Sequence, residues 1–233
     1  MHQIIRASER YHNNIGWLET YWLFSFSDYY DPNNIQFGQL RVFNDDIVQA
    51  QKGFSMHPHE EMEIITIILD GELTHKDSMG NDETITAGEV QTITAGTGIM
   101  HSEENNSNQP VHLCQIWVLP DNPGLTPAYD QKSFNQEDWQ NRLLLLASRQ
   151  EGKGAATIHA DSDIFRCRLS AGKSVDYAPL TERGFFVYLL DGSVETAGIK
   201  LDKGDQLRMR SDGKPLTLKS QTGAEFILID VAM

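Results

Sequence analysis

The sequence predicts an all-β protein made of two β-barrels in tandem. Its β-prone segments are short and closely spaced, with turn residues between them, which is typical of sandwiches and barrels. The chain has 233 residues, a length that accommodates two barrels of ordinary domain size. The second half contains a faint copy of the first, because residues 186–194 parallel 65–73 and residues 203–207 parallel 87–91. Such a repeat indicates two similar structural units.

The strands of the first half are identified by runs of aromatic and β-branched residues that end at turn signals. The clearest is an isoleucine-rich run at 64–69, which enters the tight turn Asp70-Gly71. The run at 17–26 accommodates one or two strands, and the strand at 111–119 closes the first barrel. The expected strands lie at 17–26, 39–43, 64–69, 73–77, 83–86 and 111–119.

Residues 133–147 connect the two halves and carry the helical signals of the chain. Ser133 or Asn135 could cap a helix, and acidic residues at 137 and 138 suit a first turn, whereas 142–146 is β-prone. We therefore expect a short helical turn and then a strand. The chain is accordingly divided into an N-terminal barrel (1–125), a connecting segment (126–147) and a C-terminal barrel (148–233).

Composition and charge exclude several classes of protein. The net charge of −14, without a cluster of Lys or Arg, argues against direct nucleic-acid binding. No apolar run approaches the ~20 residues of a membrane span, and the N-terminus lacks an apolar signal core. The two cysteines, Cys114 and Cys167, are far apart in sequence, so we expect no disulfide and a cytoplasmic location. We expect a monomer or a weak oligomer.

Two histidines two residues apart, His57 and His59, directly precede the isoleucine-rich strand. Side chains alternate between the faces of a strand, so both histidines share a face with Glu61 and Glu63 if the extended conformation already holds from residue 57. Imidazoles and a carboxylate on one face can ligate a transition metal. The alternative is a pair of solvent-facing histidines on an edge strand.

A second candidate pair, His101 and Glu103, has the same spacing and also shares a face on an extended segment. Glycines at 88, 96 and 98 indicate a turn, a short strand and a second turn that delivers His101. The two segments together are far more specific for a metal site than either one alone. They combine three imidazoles with a carboxylate. Both Glu63 and Glu103 lie an even number of residues from a candidate histidine, so either can share its face of the strand.

These segments resemble the two sequence motifs of the cupin superfamily, small jelly-roll-type β-barrels that hold a metal at the barrel mouth. Thr94 stands where cupins usually have proline. More narrowly, the chain resembles the pirin family of two-barrel cupins (bicupins), whose bacterial members include quercetin 2,3-dioxygenases. The resemblance is dense over the first half and becomes thin beyond Tyr129. The segments that carry it are 57–59, 69–71, 77–81, 95–103 and 115–120.

The resemblance implies one divalent metal ion, iron(II), held by three histidines and a carboxylate. General cupin usage points to Glu63 for the carboxylate, whereas pirin usage points to Glu103. We expect Glu103 to be both a ligand and the general base, and Glu63 to orient a histidine or a bound water and to be the reserve base. The same donors also suit Zn, Ni, Cu, Co or Mn. The expected metal ligands are His57, His59, His101 and Glu103.

The copy in the second half lacks these ligands. Ala178, Leu180 and Thr217 stand at the positions equivalent to the three histidines. We therefore expect metal in the N-terminal barrel only, and a structural or pocket-walling role for the C-terminal barrel.

The resemblance implies cleavage of flavonols such as quercetin with dioxygen and release of carbon monoxide. The partners would then be dioxygen and a small aromatic enolate of the flavonol kind. One alternative is a metal- or redox-sensing regulator without enzymatic activity that acts through protein partners. Another is a structural zinc site closed by four protein ligands.

Several other side chains are assigned less directly. His75 and His112 are expected to be ordinary strand histidines, and Cys114 a buried, apolar-like thiol. Gln115 is a candidate for the pocket, although the loop at 104–110 prevents its strand face from being counted from His101. Four aromatic residues could line a flat apolar pocket, but core packing is the favoured expectation for each of them: Trp17, Trp22, Phe24 and Phe54.

Overall fold

The structure is a computed structural model that describes residues 2–150 and 153–233. Within these residues almost all regular structure is β, and helical turns occur only at Ala7–Glu9 and Gln136–Trp139. The predicted all-β class is therefore confirmed. The strands in chain order are β1 (His2–Ile5), β2 (Tyr11–Asn14), β3 (Leu18–Trp22), β4 (Leu40–Val48), β5 (Lys52–His59), β6 (Glu63–Asp70), β7 (Glu72–Asp77), β8 (Asp82–Thr86), β9 (Glu89–Thr94), β10 (Ile99–Asn105), β11 (Val111–Val118), β12 (Ala128–Ser133), β13 (Leu144–Ser148), β14 (Ala156–Thr157), β15 (Ser162–Leu169), β16 (Ser174–Tyr177), β17 (Arg183–Thr196), β18 (Ile199–Asp202), β19 (Gln206–Arg210), β20 (Leu216–Lys219) and β21 (Ala224–Ala232).

The first barrel consists of two sheets that face each other. A seven-stranded sheet has the order β12-β9-β6-β11-β4-β3-β2, and a four-stranded sheet has the order β5-β10-β7-β8. Side chains alternate along β6, because Ile68 belongs to the core between these two sheets whereas Ile65 and Ile67 belong to a separate core on the other face. The seven-stranded sheet is therefore buried on both of its faces.

The second barrel is built around β17, which pairs with β19 on one side and β21 on the other. Its own core includes Val187, Leu207, Phe226 and Leu228. The predicted repeat occupies equivalent places in the two barrels, because β6 likewise lies between β9 and β11 in the first barrel. The tandem-barrel prediction is thus confirmed.

A shared apolar core joins the two barrels. Phe43 of β4 packs against Phe186 and Tyr188 of β17, with ring centroids 5.1 and 4.9 Å apart. Ile65 and Ile229 belong to the same buried cluster. The outer face of the seven-stranded sheet is therefore covered by the second barrel. Glu63 lies on this face and is buried between the two barrels.

Each barrel also receives a strand from outside its own part of the chain: the second barrel from the N-terminus and the first barrel from the connecting segment. β1 pairs with β19 of the second barrel, and β12 pairs with β9 of the first barrel. The division of the chain at residues 125 and 147 therefore stays a prediction, since strand pairing crosses both boundaries. The helical turn and strand expected in the connecting segment are present at 136–139 and 144–148. Among the described residues, no helix has the length and apolar character to cross a membrane.

Candidate metal centre

Strands β5 and β10 bring the two histidine segments together. They pair antiparallel with His101 opposite His57, and the register shifts between His101 and Glu103. Gly53 makes the close approach of the strands possible at this irregularity, because a Cβ atom there would collide with the backbone carbonyl of Glu103. The pairing of β5 with β10 places residues 44 positions apart in the chain on one inward-facing surface.

Three imidazoles converge on this surface. The ring centroids of His57, His59 and His101 lie 4.4 to 4.9 Å apart, and one ring nitrogen from each lies within 4.8 Å of the others. Within residues 2–150 and 153–233, groups of three or more potential ligands at this spacing occur only in the first barrel. The three predicted histidine ligands are thus brought together by the structure.

The donor set fits a divalent metal ion. The Nδ1 atom of His57 lies 2.7 Å from the carbonyl oxygen of Ser55, so Nδ1 carries the hydrogen and Nε2 is left with a lone pair. His101 is buried, and neither of its ring nitrogens has a hydrogen-bond partner among the described residues. Buried polar atoms are normally paired, so a metal ion is the simplest partner for this ring.

His59 and His101 are neutral over the physiological pH range. Burial, together with the neighbouring His101 and His57, lowers the pKa of His59 to about 4. Burial and the nearby His57 and His75 lower the pKa of His101 to about 3. A metal ion therefore does not have to compete with a proton for either of these rings near pH 7.

The ring resonances of His59 and His101 in the metal-free protein should not move between pH 8 and pH 5. A histidine of the unfolded chain titrates near 6.5, so the unfolded state binds protons more readily than the folded state does. The free energy of unfolding of the metal-free protein therefore falls as the pH is lowered from about 6.5 to about 4. NMR of ring-labelled protein checks this, with the urea-unfolded chain as the control. Titration of either ring near pH 6.5 in the folded protein would contradict the buried site.

Glu103 lies beside the histidines and is held by three donors. The Gln115 side-chain amide donates to its Oε2 at 2.7 Å, and Thr66 and Gln91 donate to its Oε1 at 3.3 Å each. The indole N–H of Trp117 donates to Oε1 of Gln115 at 3.2 Å, which leaves the Gln115 amide nitrogen to face the carboxylate. These three donors fix the orientation of the Glu103 carboxylate.

Glu63 does not lie in this site, which corrects the expectation that it orients a histidine. Its carboxylate is buried between the barrels, where its Oε2 accepts hydrogen bonds from the Thr94 hydroxyl at 2.9 Å and the backbone N–H of His159 at 3.1 Å. Burial raises the pKa of Glu63 despite these bonds. Counting alternate strand positions from His57 does not place Glu63 correctly, because the extended conformation is interrupted. β5 ends at His59, Glu61 has φ of 49°, and β6 then continues in the opposite sheet.

A cavity of about 680 Å³ is lined by His57, His59 and Glu103, whereas His101 is buried and does not line it. Three of the four predicted aromatic residues, Trp17, Trp22 and Phe54, line it, together with Phe26. Phe24 does not, because it is fully buried in the core between the barrels. Core packing, the favoured expectation for all four residues, therefore describes Phe24, whereas the other three border the cavity.

The remaining candidates are placed as follows. His112 lies 2.6 Å from Asp45 through its Nε2 atom and takes no part in the site. Cys114 is a buried thiol, as expected. His75 is not an ordinary strand histidine, because one of its nitrogens groups with His101 and Glu103 within 4.8 Å.

Sequence reasoning missed the polar residues that surround Glu103 and line the cavity. Thr66 and Gln91 contact Glu103, and Asp46 lines the cavity; all three are buried polar residues within strands, and no motif marks them. The available signal was strand alternation: Thr66 is the polar residue inside an isoleucine run, where a buried polar side chain requires a partner.

Two family models match the chain. One, described as Pirin, matches residues 4–118, and the other, described as Quercetinase C-terminal cupin domain, matches residues 145–231. A quercetin 2,3-dioxygenase from Escherichia coli strain K12 is 38% identical over 227 residues, which cover 97% of this chain and 96% of that protein. A pirin-like protein from Caulobacter vibrioides is 37% identical over 218 residues, covering 93% and 94% of the two chains. The crystal structure of a bacterial pirin from Escherichia coli in complex with nickel(II) has a TM-score of 0.93 at 37% identity, and the match covers 100% of this chain and 99% of that one.

Proposed function

This chain belongs to the pirin family, and from that membership we propose that it is a metal-dependent dioxygenase that cleaves flavonols such as quercetin with dioxygen and releases carbon monoxide. The observation that carries the proposal is the convergence of three imidazoles, two of which line an aromatic-walled cavity together with the carboxylate of Glu103. The relative from Escherichia coli named quercetin 2,3-dioxygenase supports it.

The proposed ligands of one divalent ion are His57, His59, His101 and Glu103, in the first barrel only. Iron(II) is the metal proposed for the cell, and nickel(II) is the metal in the related bacterial pirin structure. The chemistry that a bound divalent ion would supply is Lewis acidity, which lowers the pKa of a substrate hydroxyl. An anionic enolate also compensates the net positive charge of a divalent ion with one carboxylate.

Glu103 is the proposed base for the substrate hydroxyl. Its Oε2 atom is committed to the short hydrogen bond from Gln115, whereas the two donors to Oε1 stand at 3.3 Å. Oε1 therefore keeps more capacity to accept a proton. Thr66 and Gln91 then act as the groups that hold the carboxyl in place while its charge changes.

The cavity walls suit a flat aromatic molecule. Trp17 and Phe54 meet edge to face at 5.3 Å, and Phe26 meets both Trp22 and Trp117 edge to face, at 5.5 and 5.3 Å. Each ring is thereby held by another ring, which makes the pocket rigid and apolar. Such walls exclude water from the reacting atoms and restrict a planar substrate to few orientations.

Asp46 is one of three acidic residues of the cavity wall, and it lies on β4 with its carboxyl hydrogen-bonded to the Thr20 hydroxyl. Burial raises its pKa from 3.8 to about 7, although the Thr20 hydrogen bond opposes the shift. The side chain is therefore a neutral acid at slightly acidic pH. We propose that it binds a polar substituent of the substrate away from the metal ligands.

The Asp46→Asn variant should lose less stability than the native protein when the pH is raised from 5 to 8. The folded protein holds the Asp46 proton up to about pH 7, whereas the unfolded chain releases it near 3.8. The resulting stabilisation is full below about pH 4 and is lost as pH rises through 7, a difference on the order of a few kcal/mol. Urea unfolding of both metal-free proteins at the two pH values measures it. Parallel losses would show that Asp46 titrates normally.

The proposed activity is tested by oxygen consumption with quercetin, using protein whose metal content has been measured and then reconstituted with iron(II). Uptake that follows metal occupancy, with carbon monoxide in the headspace, would establish the reaction. Fully loaded protein that consumes no oxygen would contradict it and favour a regulator that acts through protein partners. The same preparation, run on a sizing column, tests the expectation of a monomer or weak oligomer.

A further inference from the structure

His75 is a buried histidine with one satisfied and one unsatisfied ring nitrogen. It is fully buried on β7, and its Nε2 atom lies 3.0 Å from Oδ2 of Asp77. Its Nδ1 atom has no hydrogen-bond partner within residues 2–150 and 153–233. A buried polar atom without a partner carries a free-energy cost, so this nitrogen needs an explanation.

The unsatisfied nitrogen belongs to a ring that lies beside the metal site, on the side away from the cavity. The rings of His75 and His101 are 5.4 Å apart, and His75 lies opposite Glu103 in the pairing of β7 with β10. His57, His59 and Glu103 line the cavity, whereas His75 does not. His75 is therefore placed to contact a ligand from the side away from the substrate.

Asp77 determines which nitrogen of His75 carries the hydrogen. A carboxylate accepts, so the Nε2 atom of His75 is the N–H donor and Nδ1 has the lone pair. Asp77 is itself immobilised, because it accepts hydrogen bonds from the backbone N–H groups of Met79 and Asn81 and from the Asn81 side chain. The Tyr129 ring stacks on His75 at 5.0 Å and holds the imidazole plane.

We propose that His75 is a positioning residue for the metal, and that its Nδ1 atom accepts the N–H of His101 when the other nitrogen of His101 binds the ion. A histidine that ligates a metal through one nitrogen needs an acceptor for its second N–H, and such acceptors set the ring orientation and raise ligand basicity. The result is a chain from Asp77 through His75 to His101. The proposal rests on the metal site of the proposed function.

The alternative is that His75 ligates a metal itself, since one of its nitrogens groups with His101 and Glu103. Its contacts with Asp77 and Tyr129 argue against this, because they already fix the position and the plane of the imidazole ring. The two roles differ in the state of Nδ1, which accepts a hydrogen bond in one case and binds the ion in the other.

The test compares His75→Phe with His112→Phe. Phenylalanine keeps a ring against Tyr129 but has no lone pair, and His112 is a matched strand histidine that is paired with an aspartate outside the site. The affinity for nickel(II), measured by titration calorimetry, should fall about 10- to 100-fold in His75→Phe and stay unchanged in His112→Phe. The visible spectrum of the cobalt(II)-substituted protein should change only in His75→Phe, which a purely structural role of His75 would not produce.

One outcome overturns this inference and leaves the proposed function standing. In it, the native protein and His75→Phe bind nickel(II) equally well and have the same cobalt(II) spectrum. Native protein that binds no nickel(II) would overturn both. NMR of the zinc-loaded native protein needs no variant: His75 should have a hydrogen on Nε2 and an unprotonated, hydrogen-bonded Nδ1. A hydrogen on Nδ1, or a metal-shifted Nδ1, would overturn the positioning role.

Discussion

Replacing His57 and His101 together by alanine should reduce the metal content from one equivalent per chain to a trace and abolish oxygen uptake. The double variant removes two of three converging imidazoles and leaves His59 with Glu103, too few donors for tight binding. His101 also has two unpaired buried nitrogens, so its removal relieves an unsatisfied group and the fold should survive. Elemental analysis after dialysis against a weak chelator measures the loss.

The matched control is His12→Ala with His112→Ala, which removes two histidines that lie beside carboxylates outside the site. Its metal content should equal that of the native protein. Circular dichroism of both double variants checks that the strands are intact. A full equivalent of metal in the His57→Ala/His101→Ala protein would show that the metal binds elsewhere and that the assigned ligands are wrong.

Replacing Glu103 by glutamine should lower the turnover number per bound metal about 10²- to 10⁴-fold, the usual contribution of a general base. Glutamine has nearly the same shape but cannot accept the substrate proton, and its amide group cannot accept hydrogen bonds from all three donors that hold the carboxylate. Rates are expressed per metal ion, so that loss of the base is separated from loss of the metal.

The Glu63→Gln variant is the comparison for Glu103→Gln. Glu63 is buried with Thr94 and His159 at the junction of the barrels, so this variant should keep its metal and its turnover number within a few-fold. Since burial already favours the neutral form of Glu63, a neutral glutamine should also be tolerated by the fold. Equal losses in the two variants would contradict the assignment of Glu103 as the base.

Local sequence patterns were sufficient for part of the site. The two-residue spacing of His57 and His59 requires a shared face on any strand, and the same holds for His101 and Glu103. Both pairs lie within single strands in the structure, so the strand period applies to each of them. The aromatic pocket was not predictable in this way, since large β-prone side chains in the strands of a barrel face either a core or a cavity, and core packing was the favoured expectation for each.

The sequence alone therefore determined the strands, the tandem barrels and the types of ligand, because all three depend on short-range periodicity and on a repeat. Only the tertiary structure decided which residues surround them. Glu63 was misplaced because alternation ends where the chain leaves one sheet for the other, at Glu61. The contacts of Gln115 with Glu103 and of His75 with His101 depend on pairing between strands that are distant in sequence. Strand periodicity carries no information across such a gap, since the register is set by packing of the whole barrel.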